Sequence, residues 1–208
     1  MVKDRDRDKE KRAAAYLKVL AYAFHHETEE EILEWWMNNN LFGSIPLGKD
    51  RKEAESANIQ MGMFREKYLT GQCCKTDLDQ DYLKLFIGMG TPLAPPWGSY
   101  YMNERKLLFQ DEAAAVRTYM ENAGWTRESF FGIPADFIAY ELEFVSWLLE
   151  RGDSETAVDF LKLYVIPWID LWNQRIQIYA EHDFYPALGN LTAGACRALC
   201  GSEDIEDV

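Results

Sequence analysis

The sequence predicts an all-α protein, a single compact multi-helix domain. Three observations carry that prediction. Apolar residues recur at three- and four-residue spacing along most of the chain. Glycine and proline fall mainly between those stretches. No convincing run of alternating apolar and polar residues reads as a strand. At 208 residues the chain is long enough for one sizeable core and short for two. Its 48% apolar and 14% aromatic content suits a packed globule and argues against disorder. The domain is therefore read as residues 1–208, with both charged ends expected to be flexible.

The first twelve residues, MVKDRDRDKEKR, are almost all charged. Tyr16, Leu17, Leu20, Ala21 and Phe24 then make one apolar helical stripe. Thr28 followed by Glu31 has the form of a capping box that starts a helix carrying Ile32, Leu33, Trp35 and Trp36. Gly43, Pro46 and Gly48 mark a loop. Asp50 with Glu53 suggests the cap of a third helix running to about Tyr68. Gly71, Cys73 and Cys74 form a turn, and Asp81 to Ile87 is helical again. Gly88 to Ser99 holds three Pro and three Gly and cannot continue a helix, so it reads as a long ordered loop running over the surface.

A helix is predicted from Asp111 to Asn122, with Gly124 as its C-cap, and a loop over 125–135. Asp136 to Arg151 is the clearest helix, closed by Gly152. Asp153 or Ser154 caps the next, with Val158, Phe160, Leu161 and Tyr164. Pro167 marks a turn or a restart before Trp168, Leu171, Trp172 and Ile176. The last helix covers about Tyr185 to Cys200, and an acidic tail, 201–208, closes the chain. No internal repeat and no domain linker is evident.

The net charge of -13 disfavours nucleic acid and anionic membranes and favours a basic partner such as a basic peptide. The four Cys include no CxxC pair, which removes the main support for zinc-finger and thioredoxin readings and fits a reducing compartment. Cys196 and Cys200 share a helix face and read as core packing. No signal peptide and no run of about 18 apolar residues is present, so a soluble cytoplasmic protein without stable membrane insertion is expected. There is no phosphate loop, no GxGxxG after a strand and no HExxH, and His25 and His26 are not spaced to chelate. Asp136 and Glu141 are five apart, which on a helix is not one face. No catalytic residue, no metal and no cofactor is assigned.

Residues 81–101 read DYLKLFIGMGTPLAPPWGSYY. This segment resembles the most characteristic stretch of the TorD/DmsD chaperones, above all the DmsD branch, through Leu85, Phe86, Gly88, Pro95, Pro96, Trp97, Ser99 and Tyr101. A second segment, FGIPADFIAYELEFVSWLL, resembles the family's Pro-x-Asp-His stretch through Pro134, Asp136, Ile138, Glu141 and Leu142. Phe137 stands where the family usually has His, which removes the basis for an imidazole contact or pH sensitivity there. Phe160, Trp168, Phe184, Tyr185, Leu191 and Thr192 are a weaker match to its closing helices.

The resemblance implies an all-helical protein without turnover. It would bind the twin-arginine leader of a molybdopterin oxidoreductase of the dimethyl-sulfoxide or trimethylamine-oxide reductase type, holding the enzyme from the translocon until its cofactor is in place. Translocon and cofactor-insertion proteins are the further partners it implies. Guanine-nucleotide binding has been proposed for some members, and no phosphate loop supports it here. The peptide-binding residues implied are Leu85, Phe86, Pro95, Pro96, Trp97, Ser99, Tyr101, Asp136, Phe137 and Glu141. Leu85, Phe86 and Trp97 would lie on the apolar side, with Asp136 toward the arginines. Structural roles compete with these: Leu85 and Phe86 as core, Ser99 as a cap of the next helix, Asp136 as the N-cap of its own. A helical metal- or nucleotide-binding enzyme and a scaffold unrelated to export are the other readings.

Overall fold

Wherever apolar residues keep three- and four-residue spacing, the chain folds as helix. The computed structural model describes residues 2–43, 47–49, 51–88, 90–103, 111–127 and 132–201, with side chains from residue 7. The helices are α1 (Val2–His25), α2 (Glu30–Asn38), α3 (Lys52–Leu69), α4 (Lys75–Tyr82), α5 (Gly98–Met102), α6 (Asp111–Asn122), α7 (Ile138–Glu150), α8 (Ser154–Phe160), α9 (Ile166–Tyr179) and α10 (Phe184–Cys200). Among the described residues there is no strand, only an isolated antiparallel bridge between Trp97 and Phe137. The loop marker Pro46, the proposed cap at Asp50, Phe131 at the start of the second resembling segment and the tail residues 202–208 lie outside the described residues.

The core is organised around two buried helices. Every residue of α10 from Phe184 to Cys196 is buried, between α3 on one side and α9 on the other. α7 is buried over most of its surface, with α1 lying along it and α8 beyond. Large rings fill the space between: Trp168, Trp172, Tyr140, Tyr185 and Phe144 are fully buried. At the end of α10, Arg197 pairs with Glu53 of α3 at 2.5 Å and with Asp170 of α9, tying three helices.

Two π-turns interrupt the helices, at Leu83–Ile87 and Leu161–Val165. They share a sequence pattern: DYLKLFI over 81–87 and DFLKLYV over 159–165. This short internal similarity was not evident from the spacing of apolar residues. Each turn meets a local need. The second lies just before Pro167, whose ring would crowd the carbonyl four residues back in a regular helix; the wider turn makes room, so α8 runs into α9 without a break. The first ends at Gly88, whose φ of 67° favours glycine and stops the helix.

The capping box expected at Thr28 and Glu31 does not form. The N-cap of α2 is Glu29, without a side-chain bond, and Thr28 is drawn into the core instead. Of the two adjacent Trp that this helix carries, Trp35 points outward at 56% exposure, while Trp36 is buried. Asp153 does cap α8, accepting from the Thr156 N–H at 3.3 Å. Phe144 is fully buried, with ring contacts at 4.8 Å to Phe160 and 5.6 Å to Trp125. Phe144→Ala should therefore cost about 3–5 kcal/mol, read as a lower urea midpoint with the helical signal retained.

Candidate peptide-binding site

Residues 96–99 and 136–138 are distant in sequence and joined in space. Pro95 and Pro96 have no N–H to offer a helix, so the chain runs extended there and is buried nonetheless. The Pro96 carbonyl accepts from the Ile138 N–H at 2.9 Å, and the Asp136 carbonyl accepts from the Gly98 N–H at 3.0 Å. The Asp136 carboxylate accepts from the Ser99 N–H at 2.5 Å. Asp136 therefore caps α5, from across the site. It is not the N-cap of the helix that follows it; that position belongs to Phe137. Ser99 lies inside the first turn of α5 rather than capping it. Gly98 must be small: a Cβ there would stand 2.7 Å from the Trp168 Nε1, which is itself held by the Tyr164 carbonyl at 2.6 Å.

The loop before this joint folds back on the π-turn, with Leu93 N–H donating to the Lys84 carbonyl at 3.1 Å and Ala94 N–H to the Leu85 carbonyl at 2.7 Å. The loop thus runs over the surface only in part. Leu85 and Phe86 lie in the core, Phe86 against the rings of Phe24, Tyr82 and Tyr185. Pro95, Pro96, Ser99, Asp136, Phe137 and Glu141 are buried, while Trp97 and Tyr101 remain partly exposed. The Trp97 ring sits 5.7 Å from that of Phe137, and Tyr101 stacks on Trp168 at 5.6 Å.

Asp136 and Glu141 interact, contrary to the helical-spacing argument. Asp136 precedes α7, so the spacing that holds inside a helix does not apply to it. Glu141 is fully buried, and neither carboxylate oxygen has a hydrogen-bond partner among the described residues. Burial, and then the nearby Asp136 charge, push its carboxyl well above the ordinary range. Burial likewise raises Asp136, against the opposing bonds from Ser99.

An imidazole reaches this place from α1, which the sequence reading had set aside. The His25 ring lies 5.7 Å from Phe137 and 5.4 Å from Tyr140. Burial, and then the charge of Arg127, lower its pKa. His25 also lines a cavity of about 570 Å³ between α1 and α7, together with Tyr22, Trp125 and Trp147. Arg127 and Glu143 pair at its wall, a long-range contact with no local sequence signal. Among the described residues no group of three or more His, Cys, Asp or Glu could hold a metal, and no helix is long and apolar enough to cross a membrane. Burial raises the Cys73 thiol to about 11, and Cys196 is also buried.

Fold and site together define an all-α protein with partly exposed aromatic rings where the Pro95–Pro96 segment joins the start of α7. Residues 59–180 match the family model described as nitrate reductase delta subunit. The chain is 32% identical over 182 residues to the Tat proofreading chaperone DmsD of Salmonella typhi, covering 86% of this chain and 84% of that protein. It is 24% identical over 180 residues to the chaperone protein TorD of Aliivibrio salmonicida, covering 81% and 84%. The chain belongs to the nitrate reductase delta subunit family and to its TorD/DmsD branch. Those relatives are named as chaperones, not as enzymes.

The buried carboxyl makes stability depend on pH with a definite sign. Folded Glu141 keeps its proton above the pH at which the unfolded chain, near the usual 4.5, has released it. Its contribution is therefore fully present below that value and is lost as pH rises toward the folded pKa. Relative to Glu141→Gln, the parent should lose stability as pH rises from about 5 toward the folded pKa, with a limiting slope of about 1.4 kcal/mol per pH unit. Urea melts of both proteins check this, and a pH-independent difference would show that Glu141 is ionised in the fold.

Proposed function

We propose that this chain is a cytoplasmic chaperone for a molybdopterin oxidoreductase of the dimethyl-sulfoxide reductase type. It binds the enzyme's twin-arginine leader and delays export until the cofactor is inserted. The observation that carries the reading is the Trp97–Phe137 joint. An aromatic on a proline-fixed segment is held partly exposed beside a second ring, in a chain whose relatives are named Tat proofreading chaperones.

A leader of this kind has a basic start and an apolar middle. Trp97 and Tyr101 supply the apolar contact, and Pro95 and Pro96 hold them in place. Leu85, Phe86 and Glu141 support the site from the core. Asp136 fixes the joint, and it meets a leader arginine only when the segment carrying Trp97 lifts, since it is 1% exposed. The net charge of -13 draws a basic leader in, acting mostly on the association rate.

Calorimetry with a twin-arginine leader peptide tests this. Trp97→Ala should weaken binding by about tenfold or more with helicity unchanged, because truncating an aromatic anchor often costs about 2 kcal/mol. Affinity should fall with added salt, and changing both leader arginines to Ala should remove much of that dependence. A parent protein that ignores every twin-arginine leader offered would defeat the reading.

A further inference from the structure

Arg127 is held as a guanidinium ligand would be held. Its guanidinium carbon lies 4.6 Å from the centre of the Tyr140 ring and 5.5 Å from that of Trp125, and its Nη1 pairs with Glu143. Two aromatic faces and one carboxylate complement a planar, weakly hydrated, delocalised cation. An ammonium would fit them less well. Arg127 comes from the loop after α6, while Tyr140 and Glu143 come from α7.

The cage is neither sealed nor remote from the peptide site. Arg127 and Glu143 side chains are each 29% exposed, and the cage opens on the cavity of about 570 Å³ between α1 and α7. Its floor, Tyr140, packs at 5.2 Å on Phe137, which also meets Trp97 and His25, each at 5.7 Å. A peptide resting on Trp97 therefore shares a wall with the cage. Asp136, by contrast, is locked beneath the joint by its bond to Ser99. Across the cavity, Glu150 is taken by Lys18 at 2.6 Å.

We propose that Arg127 is a built-in stand-in for one leader arginine, displaced from the Trp125–Tyr140–Glu143 cage when the leader docks. This rests on the leader-binding reading above and extends it to a named subsite. Linkage then fixes the consequence. An internal competitor lowers the apparent affinity for an external guanidinium by the fraction of time the cage is vacant. Weak, solitary basic side chains are thereby turned away, and a leader anchored also by its apolar segment is admitted.

The competing explanation is that Arg127 merely fastens its loop to α7. Two measurements separate them. In thermal melts, N-acetyl-arginine amide should raise the midpoint of Arg127→Ala, while the lysine analogue should not, and neither should act on Arg127→Ala/Glu143→Gln. In calorimetry, Arg127→Ala should bind a twin-arginine leader several-fold tighter than the parent. A twin-lysine leader should show no such gain, and the gain should vanish in the Glu143→Gln background. Equal or weaker leader binding by Arg127→Ala overturns the stand-in and leaves the leader reading intact. If neither protein binds any leader, the stand-in falls together with that reading; arginine-amide rescue would then still mark the cage as a guanidinium site of another kind.

Discussion

Two helix N-termini cap each other, and the candidate peptide site is built on that joint. The first N–H groups of any helix lack an intrahelical acceptor. At α5 those of Gly98 and Ser99 are taken by the carbonyl and carboxylate of Asp136. At α7 that of Ile138 is taken by the carbonyl of Pro96. Neither end is left with these donors buried and unsatisfied, which would cost about 1–3 kcal/mol per group. The arrangement needs a segment that approaches without competing donors, and two consecutive prolines supply it. It needs an anion at a helix start, where the dipole favours one, and Asp136 supplies that. It needs no side chain at Gly98, because Trp168 stands there. The motif residues that look like a binding signature are thus, in large part, the parts of this reciprocal cap.

That distinction explains what could be read from the sequence. Local signals were legible: the apolar spacing of α1 and α7, and the cap at Asp153. Signals that depend on a partner elsewhere were not. Thr28 has every local mark of a cap, and burial of its side chain overrides them. Asp136 precedes a helix as an N-cap would, and its carboxylate is drawn to a different helix. The Arg127–Glu143 pair joins a loop to a helix face and leaves no trace in composition or periodicity. The π-turns were invisible for another reason. Apolar periodicity continues through them, and only the similarity of DYLKLFI to DFLKLYV, read beside Pro167 and Gly88, hints that both segments share one departure from the α-helix.

The acidic character divides into two populations. One lies outside and is ionised, giving the chain its net charge and its reach toward basic partners. The other, Glu53, Asp81, Asp136 and Glu141, lies inside. A charge on Glu141 would be held without a hydrogen bond and beside a second carboxylate, so the neutral acid is the form the fold accepts. Glu141 is therefore no salt-bridge partner in waiting. The carboxylates that line the cavity stand on α7, at Glu143 and Glu150, seven residues apart, and each is paired there with a cation, Arg127 and Lys18.

Residue-by-residue transfer from the family meets its limit at position 137. The resemblance implies a His there, and this chain has Phe137, buried among rings. The chemistry has not left the site, because α1 carries His25 to within 5.7 Å of that phenyl ring. At position 137 itself the phenyl ring gives an apolar surface that joins Trp97 to Tyr140. His25 is kept toward its neutral form by burial and by the Arg127 guanidinium. Its charge is thus coupled to what occupies the cage. Exchanging Arg127 for another guanidinium preserves that field, whereas emptying the cage would relax it. Helix, joint and cage form one electrostatic unit, in which the identity of a single position matters less than the set of groups brought together.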